Sequence, residues 1–91
     1  MEEIGKIREV ILEVARRCAD QGPGFAQEAV VLRQAADRLG ISRDLRAQQR
    51  LLNVWSDLFK EGILYWGYDI NNPGQPFYHF PESEPAKARV G

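Results

Sequence analysis

Arg46, Gln49, Arg50 and Asn53 stand one, three or four residues apart within an amphipathic run, a spacing that lines them along one side of a helix. Arginine bonds guanine bidentately, and glutamine or asparagine reads adenine, so these four residues carry the chemistry of nucleic-acid readout. Arg43 and Arg38 lie near the start of the same run and add cations for phosphate contact. Reactive groups are sparse by comparison. The chain has one histidine, His79, and one cysteine, Cys18, so no Cys or His pair offers zinc spacing, and no glycine-rich loop is built to cradle phosphate. His79 near Glu82 is the nearest approach to an acid–base pair, and a lone strand histidine beside a polar tail reads instead as a surface or hydrogen-bonded group. The residues predict a non-enzyme with no cofactor and no metal.

Three helices and a hairpin must position that stripe. Ile4, Ile7, Ile11, Val14 and Cys18 make one apolar stripe, predicting a first helix over residues 2–19 with Cys18 buried. Gln21–Gly24 (QGPG) breaks it. Val31, Leu32, Ala35, Ala36 and Leu39 predict a second helix over 26–39, with Ala29–Leu32 as a possible short strand instead. Gly40 suits a left-handed cap, and Ser42 or Asp44 a cap for the next helix. That third helix is expected over 43–61, with Leu45, Gln48, Leu51, Leu52, Trp55, Leu58 and Phe59 inward. Its outward face is basic toward the N-terminus and acidic toward Asp57 and Glu61. Two aromatic runs, 63–69 and 76–80, flank INNPGQ and read as a β-hairpin, with Trp66 and Phe77 expected to face the helices.

Ninety-one residues, 44% hydrophobic and 27% charged, indicate one globular domain, placed at 1–80, followed by a disordered tail or truncated linker over 81–91. The formal charge of −1 argues against a general polyanion binder and leaves room for a local basic patch. With no signal peptide and no run approaching the ~20 apolar residues of a membrane span, the expected setting is cytoplasmic, without membrane contact.

The order helix, helix, turn, helix, hairpin resembles a winged helix-turn-helix domain. AADRLGIS (Ala35–Ser42) is similar to the second helix and turn of bacterial regulators in that superfamily. WSDLFKEGIL (Trp55–Leu64), with Leu58, Gly62, Ile63 and Leu64, is similar to the end of their recognition helix entering the first wing strand, and WG…NP..PF.H resembles one bacterial group of wings. The resemblance implies a mainly α fold with a small β wing, and double-stranded DNA as partner. It further implies a transcriptional regulator or the recognition domain of a larger bacterial protein. The Gly40–Gly62 interval is longer than usual, so either the third helix gains about a turn or Ser42–Leu45 forms an extra loop. On this reading Arg38, Arg43, Arg46, Gln49, Arg50 and Asn53 contact DNA, joined by Asn71 and Asn72 of the hairpin; the hairpin carries no Lys or Arg between Tyr65 and Phe80, which counts against a grip on phosphate. The alternative is a protein-interaction or homodimerisation module, using the first helix and the hairpin aromatics Tyr65, Tyr68, Tyr78 and Phe80.

Overall fold

The structure is a computed structural model that describes residues 2–81. Its elements are α1 (Glu2–Gln21), β1 (Phe25–Gln27), α2 (Glu28–Leu39), α3 (Leu45–Lys60), β2 (Tyr65–Trp66) and β3 (Phe77–His79). The fold is mainly helical, with a small antiparallel sheet in the order β1-β3-β2. Among the described residues, no helix is long and apolar enough to cross a membrane. Apart from Pro81, the tail expected over 81–91 lies outside the described residues.

α1 buries Ile7, Val10, Ile11, Val14, Ala15 and Ala19. This face is rotated from the expected stripe: Ile4 is exposed and Cys18 only half-buried, with Sγ 4.0 Å from Gln34 Oε1. Gly24, at φ +102°, lets the chain reverse while its N–H closes on Ala19 O. The chain then enters β1, a strand where a helix was expected. Its cause is not local. Phe25, Ala26 and Gln27 pair with His79, Tyr78 and Phe77 of β3, and the N–H of Glu28 donates to Pro76 O. Pairing between segments this far apart overrides a helical preference.

Gly40 caps α2 at φ +69°, donating to Ala36 O and Asp37 O, while Ile41 N–H also reaches Ala36 O. Asp44 caps α3, its Oδ1 accepting from Ala47 N–H at 3.1 Å, so α3 starts at Leu45, two residues later than expected. Ser42 donates its hydroxyl to Asp37 Oδ1 instead. Gln48 reaches back from α3 and donates to the carbonyls of Ile41 and Ser42 at 3.0 and 2.8 Å, clamping the turn. The Gly40–Gly62 interval is filled by a turn ahead of Leu45 and by a helix of 16 residues, shorter than the 43–61 expected.

The sheet register decides which aromatics meet the helices. Ala26, Tyr78 and Trp66 are directly paired and share the inner face. Tyr78 is fully buried and donates its hydroxyl to Ala15 O at 2.6 Å. It meets Trp55 edge-on at 5.3 Å, and Trp66 stacks on Phe59 at 3.9 Å. Trp66 thus faces the helices as expected, but Phe77 does not. Phe77 lies on the opposite face against Phe25 and Tyr68, and Tyr78 takes the inward place. The ribbon beyond β2 turns at Gly67, at φ +87°, where any Cβ would clash with the Pro73 backbone. His79 Nδ1 donates to Gly67 O at 2.7 Å and closes the base of the hairpin.

Burial pushes the Tyr78 phenol well above the ordinary tyrosine pKa of about 10. The neutral phenol is the form that the fold favours. Its contribution is therefore full below that ordinary pKa and is lost as pH rises above it. Tyr78→Phe removes the hydroxyl's bond to the Ala15 carbonyl, which keeps its place in α1, and is expected to cost about 0.5–1.5 kcal/mol in urea unfolding at neutral pH. In an alkaline series, wild-type stability falls more steeply above pH ~10 than that of the variant.

Candidate nucleic-acid interface

α3 buries Ala47, Leu51, Val54, Trp55 and Leu58 against α1, α2 and the sheet. On the opposite side Arg46, Gln49, Asn53, Ser56 and Lys60 recur at intervals of three and four, and all five are exposed. Each carries a hydrogen-bond donor, and none is a carboxylate. Asp57 stands on the flank of this line, 4.0 Å from Lys60 Nζ. Gln49 and Asn53 are the adenine readers of the sequence reading, and they keep that outward place. Ser56 and Lys60 extend the line beyond it. Both were legible by counting threes and fours onward from Arg46.

Three residues expected on the interface or in the core are placed differently. Arg50 is half-buried, on the flank it shares with buried Ala47 and Val54, so it leaves the outward line. Arg38 turns toward α1 and pairs with Glu13 at 2.9 Å, because its position on α2 lies on the α1 side. Tyr78, a candidate for partner contact, is core, because the strand register sends it inward. Arg43 is exposed in the turn ahead of α3, and Arg33 adds an exposed cation on α2 beside the α2–α3 groove.

Nearby acids are occupied. Asp44 caps α3, Asp37 accepts from Ser42, and Glu28 accepts the Trp55 indole N–H at 3.1 Å. Arg8 grips Glu61 bidentately at 2.8 and 3.2 Å, and this hydrogen bonding holds the Glu61 carboxyl below its usual range. Around the first half of α3, exposed Arg33, Arg43 and Arg46 stand with exposed Asp37 and Asp44, in a chain of net charge −1.

The hairpin tip is organised by Asp69, whose Oδ1 accepts the backbone N–H groups of Asn71 and Asn72, both at 2.9 Å. Asn72 Nδ2 also lies 3.4 Å from that oxygen, so its amide is turned into the tip, whereas Asn71 is exposed without such a contact from its side chain in the turn. Tyr68 stacks on Phe25 at 4.0 Å, and Phe80 lies under the Arg16 guanidinium at 4.1 Å. Tyr65 remains half-exposed at the sheet edge, beside His79. Among the described residues, no group of three or more His, Cys, Asp or Glu side chains is placed to hold a metal ion.

Two apolar residues depart from the expected inner face. Leu45 is 72% exposed and Leu52 is 49% exposed. The buried arc is narrower than the apolar pattern, centred on Leu51 and Leu58, and Leu45 opens the helix before α2 covers it. Leu52 borders a shallow groove of about 270 Å³ between α2 and α3.

No family model matches the chain, and neither a curated protein nor a solved structure matches it.

This division of α3 predicts unequal costs for the same truncation. Leu58→Ala removes a fully buried side chain and is expected to cost about 2–5 kcal/mol in urea unfolding. Leu52→Ala, in the same helix, is expected to cost less than about 1 kcal/mol.

Proposed function

We propose that the chain is a winged helix-turn-helix module that binds double-stranded DNA with α3 in the major groove. The observation that carries this reading is the unbroken outward line of donors, Arg46, Gln49, Asn53, Ser56 and Lys60, on a helix whose other face is core. A helix about 10–12 Å across fits a major groove about 12 Å wide. The element order α1-β1-α2-α3-β2-β3 and the strand order β1-β3-β2 are compatible with a winged layout. Arg46, Gln49 and Asn53 supply base-edge chemistry, while Arg43, Arg33 and Lys60 supply phosphate contacts at its margins. Arg38 belongs to the α1 side and makes no part of this surface. The hairpin adds amide groups at Asn71 and Asn72 and no cation, so α3 and the turn before it carry the binding.

The docking alternative rests on the hairpin aromatics and the first helix, and most of the aromatics are engaged internally. Tyr78 is core, Tyr68 stacks on Phe25, and Phe80 lies against Arg16. Tyr65 and Ile70 are what remain exposed. Among the described residues, the α3 donor line is engaged only at Lys60, which stands 4.0 Å from Asp57.

Duplex affinity measured against salt tests the reading. Log Kobs is expected to fall linearly with log salt, and Arg33→Ala with Arg43→Ala is expected to make that slope shallower by about two, at about 0.9 per phosphate contact. Arg38→Ala is expected to leave the slope unchanged. A weak, salt-independent association, unaltered by the double substitution, would exclude DNA as the partner.

A further inference from the structure

The two exposed leucines of α3 call for a physical reason. Leu45 and Leu52 are one heptad apart, so they lie on nearly the same side of the helix. Gln49 stands between them, four residues after Leu45 and three before Leu52, and side chains at those spacings are neighbours. Asn53 and Ser56 complete the surround. The polar line thus has an apolar border along its first two turns, built from the largest aliphatic surface exposed on α3. A generic phosphate-binding face has no use for it.

In the major groove, an A·T pair presents two kinds of group side by side. Adenine offers N7 and N6 to a bidentate amide, and thymine offers O4 and an apolar 5-methyl group. Gln49 or Asn53 matches the first, and an exposed leucine methyl matches the second. Four residues of helix rise about 6 Å, roughly the length of two base-pair steps of about 3.4 Å, so an amide and the leucine next to it can address pairs within two steps of each other. Charge favours a polyanion as the occupant of this mixed surface. Arg33, Arg43 and Arg46 stand about it, three cations against the two carboxylates of Asp37 and Asp44.

We propose that Leu45 and Leu52 are specificity residues that pack on pyrimidine 5-methyl groups in the major groove, so that the α3 face selects A·T-containing sites through thymine. The proposal rests on the DNA-binding reading and adds to it a chemical preference. The same methyl group occurs on 5-methylcytosine, but the amides of Gln49 and Asn53 match the adenine partner of thymine, which assigns the contact to thymine.

The test uses a duplex enriched from a random pool by the wild-type chain, synthesised in three forms: unmodified, with deoxyuridine replacing thymidine, and with 5-methylcytosine replacing cytosine. Loss of the thymine methyl is expected to weaken wild-type binding about fourfold per contacted methyl, at about 0.8 kcal/mol per buried carbon. Methylation of cytosine is expected to leave binding unchanged. Leu45→Ala/Leu52→Ala, confirmed folded by thermal melting, is expected to bind the thymine and uracil duplexes equally while keeping the wild-type salt slope. Equal wild-type affinity for the thymine and uracil duplexes, with the salt slope intact, overturns the methyl contact and leaves DNA binding standing. So does tighter binding to the 5-methylcytosine form with no response to uracil, and so does failure of the pool to enrich any sequence despite salt-dependent binding. Loss of self-association on double substitution, with DNA affinity unchanged, reassigns the leucines to a protein contact. Absence of any salt-dependent duplex binding overturns both readings together.

Discussion

The fold depends on the contact between Trp55 and Tyr78. Trp55 is the large inward residue of α3, and Tyr78 is the only fully buried residue of the sheet's central strand. They meet edge to face at 5.3 Å, a geometry favoured by the aromatic quadrupole. Each also places its polar end on a different helix. Tyr78 donates to Ala15 O of α1, and the Trp55 indole donates to Glu28 at the start of α2. Two side chains therefore tie the sheet to all three helices and fix the rotation of α3 about its own axis. Which residues of α3 face solvent follows from that rotation.

With its rotation fixed, α3 divides its functional groups cleanly. Apolar residues at 47, 51, 54, 55 and 58 close the core, and donors at 46, 49, 53, 56 and 60 point away from it. The chain's near-neutral charge conceals this division, because its acids are distributed among structural tasks. Asp44 satisfies a helix end, Asp69 shapes the hairpin tip, Glu28 accepts an indole, and Glu61 and Glu13 hold arginines of other helices. Exposed pairs of that kind add little stability. Their consequence is electrostatic. They neutralise cations away from the α3 line and leave Arg43 in the turn ahead of α3 and Arg46 in its first turn.

Local signals in the sequence were read well where local physics decides the outcome. Gly40 and Asp44 behave as caps because a left-handed residue and a short carboxylate are what helix ends require. The third helix was visible from Leu51 and Leu58, and the hairpin from its turn residues. Features set by distant contacts were not visible. β1 exists because β3 lies beside it, and the same register puts Tyr78 inward and Phe77 outward. Arg38 and Arg50 look like members of the basic face by spacing, yet Glu13 and the core flank claim them. Leu45 and Leu52 look like core by composition, and only the narrow width of the buried arc leaves them outside. The exposed line of α3 was thus legible at Arg46, Gln49 and Asn53, and misdrawn at its margins.

Resonance mapping on a ¹⁵N-labelled chain, titrated with duplex DNA at low salt, addresses the central claim most directly. The account predicts that the largest shifts fall on the backbone amides of residues 43–53 and on the side-chain amides of Gln49 and Asn53. The amides of Ala15 and Tyr78 should hold their positions, since the core contact that orients α3 is unchanged by binding. Shifts centred on α1, or on Tyr65 and Ile70 with α3 unmoved, would contradict it.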